Sequence, residues 1–222
     1  MKKILSIVIF AVFSNNVLAS PPVIVDRTEK VDGKSLDEYS NLWWQWAKSM
    51  PNSESPIIDK TGTKCHVNQE GPVWFLAGGY GASKINRKCK IPATKYIFFP
   101  VINMLYYPKA PGSVSCKTVR HNAAINNNLL KSFVVNIDNE QVVNPALHRH
   151  KSQKCFDLLA AIPEEFNAPK VYPSATDGYW VMLNPLAEGI HKISFKASYG
   201  NPNSGFGMMY QDIEYEVEII EP

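Results

Sequence analysis

The stretch Cys65–Asn103 most constrains what this chain can fold into, because it combines two apolar runs, a glycine-rich linker and two cysteines. Val73–Ala77 is a nearly continuous apolar run, which is typical of a strand buried on both faces. Lys95–Asn103 is a second apolar run. Pro100 lies inside it and cannot donate a ladder hydrogen bond, so it predicts an edge position or a β-bulge. Two buried strands are therefore expected here.

The glycines between these runs do not form a nucleotide-binding loop. Gly78, Gly79 and Gly81 lack the spacing of the phosphate-binding fingerprint, and no helical pattern follows them. We therefore predict a turn or bulge between strands and no cofactor.

The C-terminal part of the chain is the clearest β region. Apolar and charged residues alternate along Ile190–Ser198 and along Met208–Ile220, a period typical of half-buried strands. Ser132–Ile137 and Gln141–Val143 predict a hairpin, whereas Met104–Asn128 shows no clear period and is predicted to be irregular. Frequent turn signals favour a mainly β fold, an antiparallel β-sandwich that is Ig-like or jelly-roll-like.

One helix is predicted, at residues 35–50, packed on the sandwich. Ser35 and Glu38 form a capping-box pattern at its start, and Pro51 ends it. Apolar residues recur at steps of three and four, which gives one buried face. Trp44 falls off this face. Its ring either makes a second packing contact or is exposed and stacks on a sugar or a partner, as a ligand-binding residue.

Met1–Ala19 is predicted to be a secretory signal peptide, with Lys2 and Lys3 as its basic region. The apolar segment that follows is about ten residues long, too short to span a membrane. We therefore expect an exported protein, periplasmic or extracellular, that does not span the membrane after cleavage. Residues 20–34 are expected to form an extended lead-in, and residues 35–222 a single sandwich domain.

Four cysteines in an exported chain favour two disulfides, for which three pairings exist. We favour Cys65 with Cys89 and Cys116 with Cys155. A thiolate metal site would require short C-x-x-C spacing, which the sequence lacks.

The charge balance gives no indication of a polyanionic partner. The chain has 23 basic and 20 acidic residues, for a net charge of +3, which argues against nucleic acid as a general partner. Charged residues are 19% of the chain and aromatic residues 11%, a balance typical of a well-packed exported β domain.

Aromatic, glycine and proline residues recur in three compact motifs. These are WWQWA at 43–47; GPVWFLAG at 71–78, with FFPV at 98–101; and DGYW at 177–180. Together they resemble an uncharacterised family of exported, mostly bacterial proteins. The resemblance implies a shared fold and a Cys65–Cys89 disulfide, and it implies no activity. Where some members are expected to have an acidic residue after the FFPV strand, this chain has Met104 and Leu105. Separately, residues 186–199 resemble the penultimate strand of Ig-like domains.

Few residues suggest chemistry. His148 and His150 form an H-x-H pair whose rings would share one face of a strand, although two ligands do not make a metal site. Glu70 and Asp177 flank the aromatic motifs and are candidates for a carboxylate pair acting on a polysaccharide. His66 is a candidate polar residue of the same cleft. Each of these residues also has an ordinary structural interpretation.

The absence of a recognisable catalytic set favours a non-enzymatic, exported ligand-binding protein. Its ligand would be a glycan or another envelope or host protein. The alternatives are a secreted hydrolase or lyase that acts on polysaccharide and a structural envelope protein. Nothing in the sequence indicates an oligomeric state.

Overall fold

Strands dominate the computed structural model, which describes residues 23–81, 84–110, 113–203 and 206–222. Within these residues the chain forms eleven strands and two α-helices. In chain order the strands are β1 Lys30–Val31, β2 Lys34–Ser35, β3 Val73–Phe75, β4 Ile85–Pro92, β5 Tyr96–Tyr106, β6 Leu130–Ile137, β7 Glu140–Val142, β8 Arg149–Lys151, β9 Ala175–Leu183, β10 Gly189–Gly200 and β11 Met208–Ile220. The helices are α1 Leu36–Lys48 and α2 Cys116–Ala124. The predicted mainly β character is confirmed, and the predicted signal peptide lies outside the described residues.

The strands form two main sheets and a short β1–β2 ribbon. One sheet has the order β4-β11-β10-β6-β7 and the other β3-β5-β9-β8. The predicted antiparallel pairing is found for most neighbouring strands, but the sheets are mixed, because β3 pairs with β5 and β4 pairs with β11 in parallel. Parallel neighbours need a crossover connection, and here the chain passes through the opposite sheet between β3 and β5. The alternation of apolar and polar residues indicates which face of a strand is buried. It does not indicate whether the neighbouring strand runs parallel or antiparallel.

The two main sheets pack against each other through their inner faces. Phe99 of β5 and Phe195 of β10 stack with ring centroids 5.1 Å apart, inside a cluster of buried side chains drawn from both sheets. The predicted alternation of β11 is confirmed, since its odd-numbered residues from 213 to 219 are buried. The outward glutamates pair with lysines of β4, with Nζ–O distances of 2.9 Å for Lys88–Glu216 and 3.0 Å for Lys90–Glu218.

Helix α1 covers the outer face of the four-stranded sheet. The predicted capping box is confirmed: the Ser35 hydroxyl accepts from the Glu38 amide, and the Glu38 carboxylate accepts from the Ser35 amide. Trp43 lies edge-on to Trp180 of β9 with centroids 5.4 Å apart, and its indole N–H donates to the carbonyl of Leu76 at 2.9 Å. A second large core therefore lies between α1 and this sheet.

Pro100 lies at a β-bulge, which was one of the two positions predicted for it. The register of β5 against β9 shifts between Pro100 and Ile102. The edge alternative was wrong, because β5 lies between β3 and β9 in the sheet.

The prediction that Met104–Asn128 is irregular was wrong in two ways. Strand β5 continues to Tyr106, and α2 occupies Cys116–Ala124. Helix α2 was missed because it contains few apolar residues; Val119 and Ala123 are its buried hydrophobic side chains. The favoured cysteine pairing is confirmed: Cys65 bonds to Cys89 and Cys116 bonds to Cys155.

Candidate functional site

The sequence-predicted carboxylates and histidine lie at separate places in the fold. Glu70 is exposed and lines a groove of about 450 Å³ beside α1, together with Trp46 and Phe75. Asp177 is 1% exposed, lies in β9 and lines a different cavity. His66 is exposed and lines neither of them. The three candidates therefore do not converge on one cleft.

Trp44 packs in the core between α1 and the four-stranded sheet. It is 8% exposed, and its indole N–H donates to the Thr176 hydroxyl at 3.0 Å. Its ring meets Trp43 edge-on with centroids 5.1 Å apart. The interpretation as an exposed stacking ring was wrong, because a wide face of α1 is covered by the sheet. The alternative, a second packing contact, is confirmed.

His148 and His150 both line a small cavity of about 200 Å³. His150 is 3% exposed, and its Nδ1 lies 3.2 Å from a carboxylate oxygen of Asp37. The ring of His148 stacks on Phe133, and burial, with the nearby His150, lowers its pKa. In the part of the chain that the structure describes, no group of three or more His, Cys, Asp or Glu side chains could hold a metal ion.

A further cavity has a volume of about 560 Å³ and is lined by residues of α2, β8, β9 and the N-terminal lead-in. We call it the basic cavity. Among the described residues that line it are five lysines and arginines and a single carboxylate. The cations are Arg27, Lys117, Arg120, Arg149 and Lys151, and the carboxylate belongs to Asp177. The cavity therefore has a strong excess of positive charge.

Helix α2 places three basic side chains at this cavity. Ser115 caps the helix by accepting a hydrogen bond from the Thr118 amide at 3.2 Å. Lys117, Arg120 and His121 are spaced by three and four residues, so they share the face that lines the cavity. Val119 lies on the opposite face and is fully buried. The same local periodicity thus divides α2 into a thin apolar face and a basic face.

Strand β8 contributes two further cations through its alternation. Arg149 and Lys151 are two residues apart, point to the same side of the strand and line the cavity. His150, between them, points the other way, toward Asp37 of α1. Within the segment 148–151, the two histidines therefore lie on one side of the chain, and Arg149 and Lys151 lie on the other.

Asp177 is paired with Arg149 in a two-pronged ion pair. The Arg149 Nε donates to Asp177 Oδ1 at 2.9 Å, and Nη2 donates to Oδ2 at 3.0 Å. Nη2 also donates to Asn128 Oδ1 at 2.7 Å. Burial raises the pKa of Asp177, and the Arg149 guanidinium opposes this shift. Asp177 therefore orients the Arg149 guanidinium. The charge of that guanidinium in turn compensates for the loss of water around the buried carboxylate.

A second carboxylate, Asp37, holds the far side of β8 to the first turn of α1. Asp37 accepts hydrogen bonds from the Lys151 amide at 3.2 Å and from the Gln153 side chain at 2.8 Å. Burial alone would raise the pKa of Asp37, but these bonds and His150 hold it below its ordinary value. Strand β8, and with it Arg149 and Lys151, is therefore fixed to the α1 layer.

Four of the five lysines and arginines of the cavity form no ion pair among the described residues, although the charge of Lys151 acts to lower the pKa of Asp177 and that of Arg27 acts to lower the pKa of Asp26. Within the described part of the chain, the side chains of Arg27, Lys117, Arg120 and Lys151 make no ion pair or hydrogen bond, whereas other surface lysines, such as Lys88 and Lys90, do. Cations without an ion-pair partner around a concave surface attract an anion. The planar guanidinium of arginine can donate two hydrogen bonds to a pair of oxygens of a carboxylate, sulfate or phosphate group. The cavity is suited to binding an anionic group.

Sequence reasoning missed this cavity because the overall charge is nearly balanced and the cations are far apart along the chain. A local signal was present: Ser115 is a good N-cap residue, and Lys117, Arg120 and His121 have helical spacing. That signal predicts a short helix with a basic face. It does not predict that Arg149 and Lys151 lie beside it.

A comparison of the chain with protein-family models, curated proteins and solved structures finds no match. The resemblance of its three motifs to a family of exported proteins therefore stays a prediction.

Proposed function

We propose that this chain is an exported, non-enzymatic protein that binds an anionic glycan in the basic cavity. The observation that carries the proposal is the group of four cations that line one cavity and make no ion pair in the described structure: Arg27, Lys117, Arg120 and Lys151. Two disulfides support an exported location, in the periplasm or outside the cell.

The shape of the site favours a glycan over a folded protein partner. The cavity is concave, and its volume of about 560 Å³ falls in the range of about 300–1,000 Å³ found for small-ligand sites. A glycan that carries carboxylate, sulfate or phosphate groups can enter such a cavity, whereas protein interfaces of ordinary size are broad surfaces. Charge-assisted hydrogen bonds from Arg120 and Lys117 would provide the main contacts.

The experiment measures binding of the purified protein to dextran sulfate, polygalacturonate and neutral dextran by calorimetry. We expect both acidic polymers to bind and neutral dextran not to bind. Lys117→Gln is expected to lower the affinity about fivefold, as for loss of one partly exposed charge contact. Lys88→Gln is the matched control, because Lys88 is exposed on β4 and pairs with Glu216. The affinity of this variant for the acidic polymers should equal that of the wild-type protein.

Other outcomes separate the alternatives. Equal binding of poly-glutamate would favour an acidic protein partner, and failure to bind any acidic polymer would overturn the proposal and leave a structural role. Chain shortening of polygalacturonate by the wild-type protein would support the hydrolase or lyase alternative. The two carboxylates considered for that alternative, Glu70 and Asp177, line different cavities.

A further inference from the structure

Helix α2 carries three basic residues of the cavity but has little apolar contact with the rest of the fold. Its buried cluster contains only Val119, Ala123 and Ala175 among the described residues, with a few partly buried neighbours. By comparison, the cluster beneath α1 contains three tryptophans of that helix. Because burial of apolar area is the main source of packing stability, α2 is weakly held by its own side chains.

The two ends of α2 are anchored by different means. At the C-terminal end, the Asn127 side chain donates to the carbonyls of Ala123 at 3.2 Å and of Asp177 at 2.8 Å, and the Tyr179 hydroxyl donates to the carbonyl of Asn127 at 3.2 Å. At the N-terminal end, Cys116 is the first residue of the helix and is bonded to Cys155. The turn that contains Lys117 and Arg120 is therefore attached by this disulfide and by the buried side chain of Val119.

The two disulfides differ in their surroundings. Cys65 and Cys89 are 6% and 5% exposed and belong to the large core between the sheets. Cys116 and Cys155 are both only partly buried, and Cys155 borders the small α2 cluster. A reductant therefore reaches the second bridge more readily, and neither of its cysteines belongs to the two large buried clusters.

We propose that the Cys116–Cys155 disulfide is a redox switch that controls the basic cavity, an inference that rests on the proposed function of that cavity. With the bridge intact, α2 holds Lys117, Arg120 and His121 at the cavity. With the bridge open, the N-terminal turn of α2 separates from the loop after β8, and the cavity loses these cations while the two sheets and α1 stay folded.

The opening step is a thiol–disulfide exchange with a dithiol reductant. One thiolate of the reductant attacks a sulfur of the bridge and forms a mixed disulfide, and the other cysteine leaves as a thiolate that takes up a proton. The second thiol of the reductant then displaces the remaining cysteine. The protein bridge gains two electrons and two protons, and the reductant becomes its own disulfide. Reoxidation reverses the exchange.

The test compares dextran sulfate binding by the wild-type protein with binding by Cys116→Ser/Cys155→Ser. We expect the affinity of this variant to fall about tenfold, which corresponds to about 1.4 kcal/mol, with tryptophan fluorescence close to wild type before urea is added. Its urea midpoint should fall, because the lost bridge joins residues 39 positions apart in the sequence. Cys65→Ser/Cys89→Ser is the matched control. It should lower the urea midpoint and leave the affinity of the folded protein within about twofold of wild type, because its bridge lies outside the basic cavity.

A dithiothreitol titration of the wild-type protein, with mass spectrometry of alkylated digests, tests the same switch without mutation. Affinity should fall as Cys116 and Cys155 become alkylated, while Cys65 and Cys89 stay bonded. Unchanged affinity after this bridge opens, or global unfolding of the Cys116→Ser/Cys155→Ser protein, would overturn the switch. Failure of the oxidised wild type to bind dextran sulfate at all would instead overturn the proposed function.

Discussion

Helices α1 and α2 both contact β9, yet they are attached to it in different ways. Helix α1 has seven buried residues, including three tryptophans, and each of these indoles donates a hydrogen bond to another part of the chain. Helix α2 has two buried residues and a covalent bridge at its first residue. Helix α1 is held mainly by its large buried side chains, whereas α2 combines a small apolar cluster and hydrogen bonds at its C-terminal end with a disulfide at its first residue.

The charged residues of the two helices differ in the same way: those of α1 contribute to the stability of the fold, and those of α2 are placed to bind a ligand. The charged groups at the start of α1 are used to attach the helix to its neighbours, as Asp37 does for β8. The cations of α2 make no such attachment and face the basic cavity. A helix that contributes little to the core can present charged side chains to a ligand without weakening the fold.

The largest expected effect comes from the core of α1. Trp43→Ala should lower the free energy of unfolding by about 3–5 kcal/mol, because it removes a large buried ring and leaves a cavity. Val119→Ala on α2 should cost only about 1–2 kcal/mol, since it removes two buried methyl groups. Urea denaturation monitored by circular dichroism measures both values.

Two results would contradict the difference between the helices. If Val119→Ala destabilised the protein as much as Trp43→Ala, α2 would be part of the main cooperative core. If Trp43→Ala cost less than Val119→Ala, α1 would not be held by its tryptophans. Dextran sulfate affinity measured on each folded variant keeps the binding and stability effects separate.

The sequence predicted α1 well because its signals are local and strong. The capping box at Ser35, the aromatic residues at helical spacing and Pro51 all agree. Helix α2 was missed because its stability comes from Cys116 and from contacts with β9, which a periodicity argument does not include. The strands of the C-terminal region were predicted for the same local reason as α1.

The basic cavity could not be predicted because it depends on pairings distant in sequence. Arg149 and Lys151 come beside α2 only through the pairing of β8 with β9 and the bridge from Cys116 to Cys155. Asp177 was chosen for its position next to an aromatic motif, and the structure places it in an ion pair with Arg149. The sequence left open whether the Trp44 ring is packed or exposed, since no local pattern shows how wide a face of α1 the sheet covers.

A smaller effect tests whether a cation of α2 contributes to binding. Arg120→Gln should lower dextran sulfate affinity about fivefold and change the free energy of unfolding by less than about 0.5 kcal/mol, because Arg120 is a partly exposed, unpaired side chain. Lys48→Gln in the last turn of α1 is the matched control and should leave the affinity unchanged. Calorimetry at low and high salt measures both, and the Arg120 effect should shrink as salt screens the charge.

Equal losses of affinity in Arg120→Gln and Lys48→Gln would show that binding follows the general surface charge. That result would contradict the assignment of the ligand to the basic cavity, since Lys48 does not line it.

An effect of similar size distinguishes the starts of the two helices by the response of the free energy of unfolding to pH. Asp37, in the first turn of α1, has a pKa held below its ordinary value, although burial opposes this, by bonds from His150, Gln153 and the Lys151 amide. A carboxyl whose pKa is lower in the folded state stabilises it above the unfolded pKa of about 3.9 and loses this contribution as the pH falls through the folded value. Asp37→Asn should therefore cost about 1 kcal/mol at pH 7 and less below about pH 4.

Helix α2 provides the matched control, because it has no acidic residue in its first turn and is capped by the neutral Ser115 hydroxyl. Ser115→Ala should cost about 1 kcal/mol, and this cost should not depend on pH between neutral and acid conditions, since the lost bond involves no titrating group. Urea denaturation of both variants and the wild type over a pH series measures the two differences. A pH-independent cost for Asp37→Asn would show that its carboxylate is no better stabilised in the fold than in water. The attachment of β8 to α1 would then depend on the neutral bonds around it, such as the Ser152 hydroxyl donating to Asn41 Oδ1 at 2.6 Å.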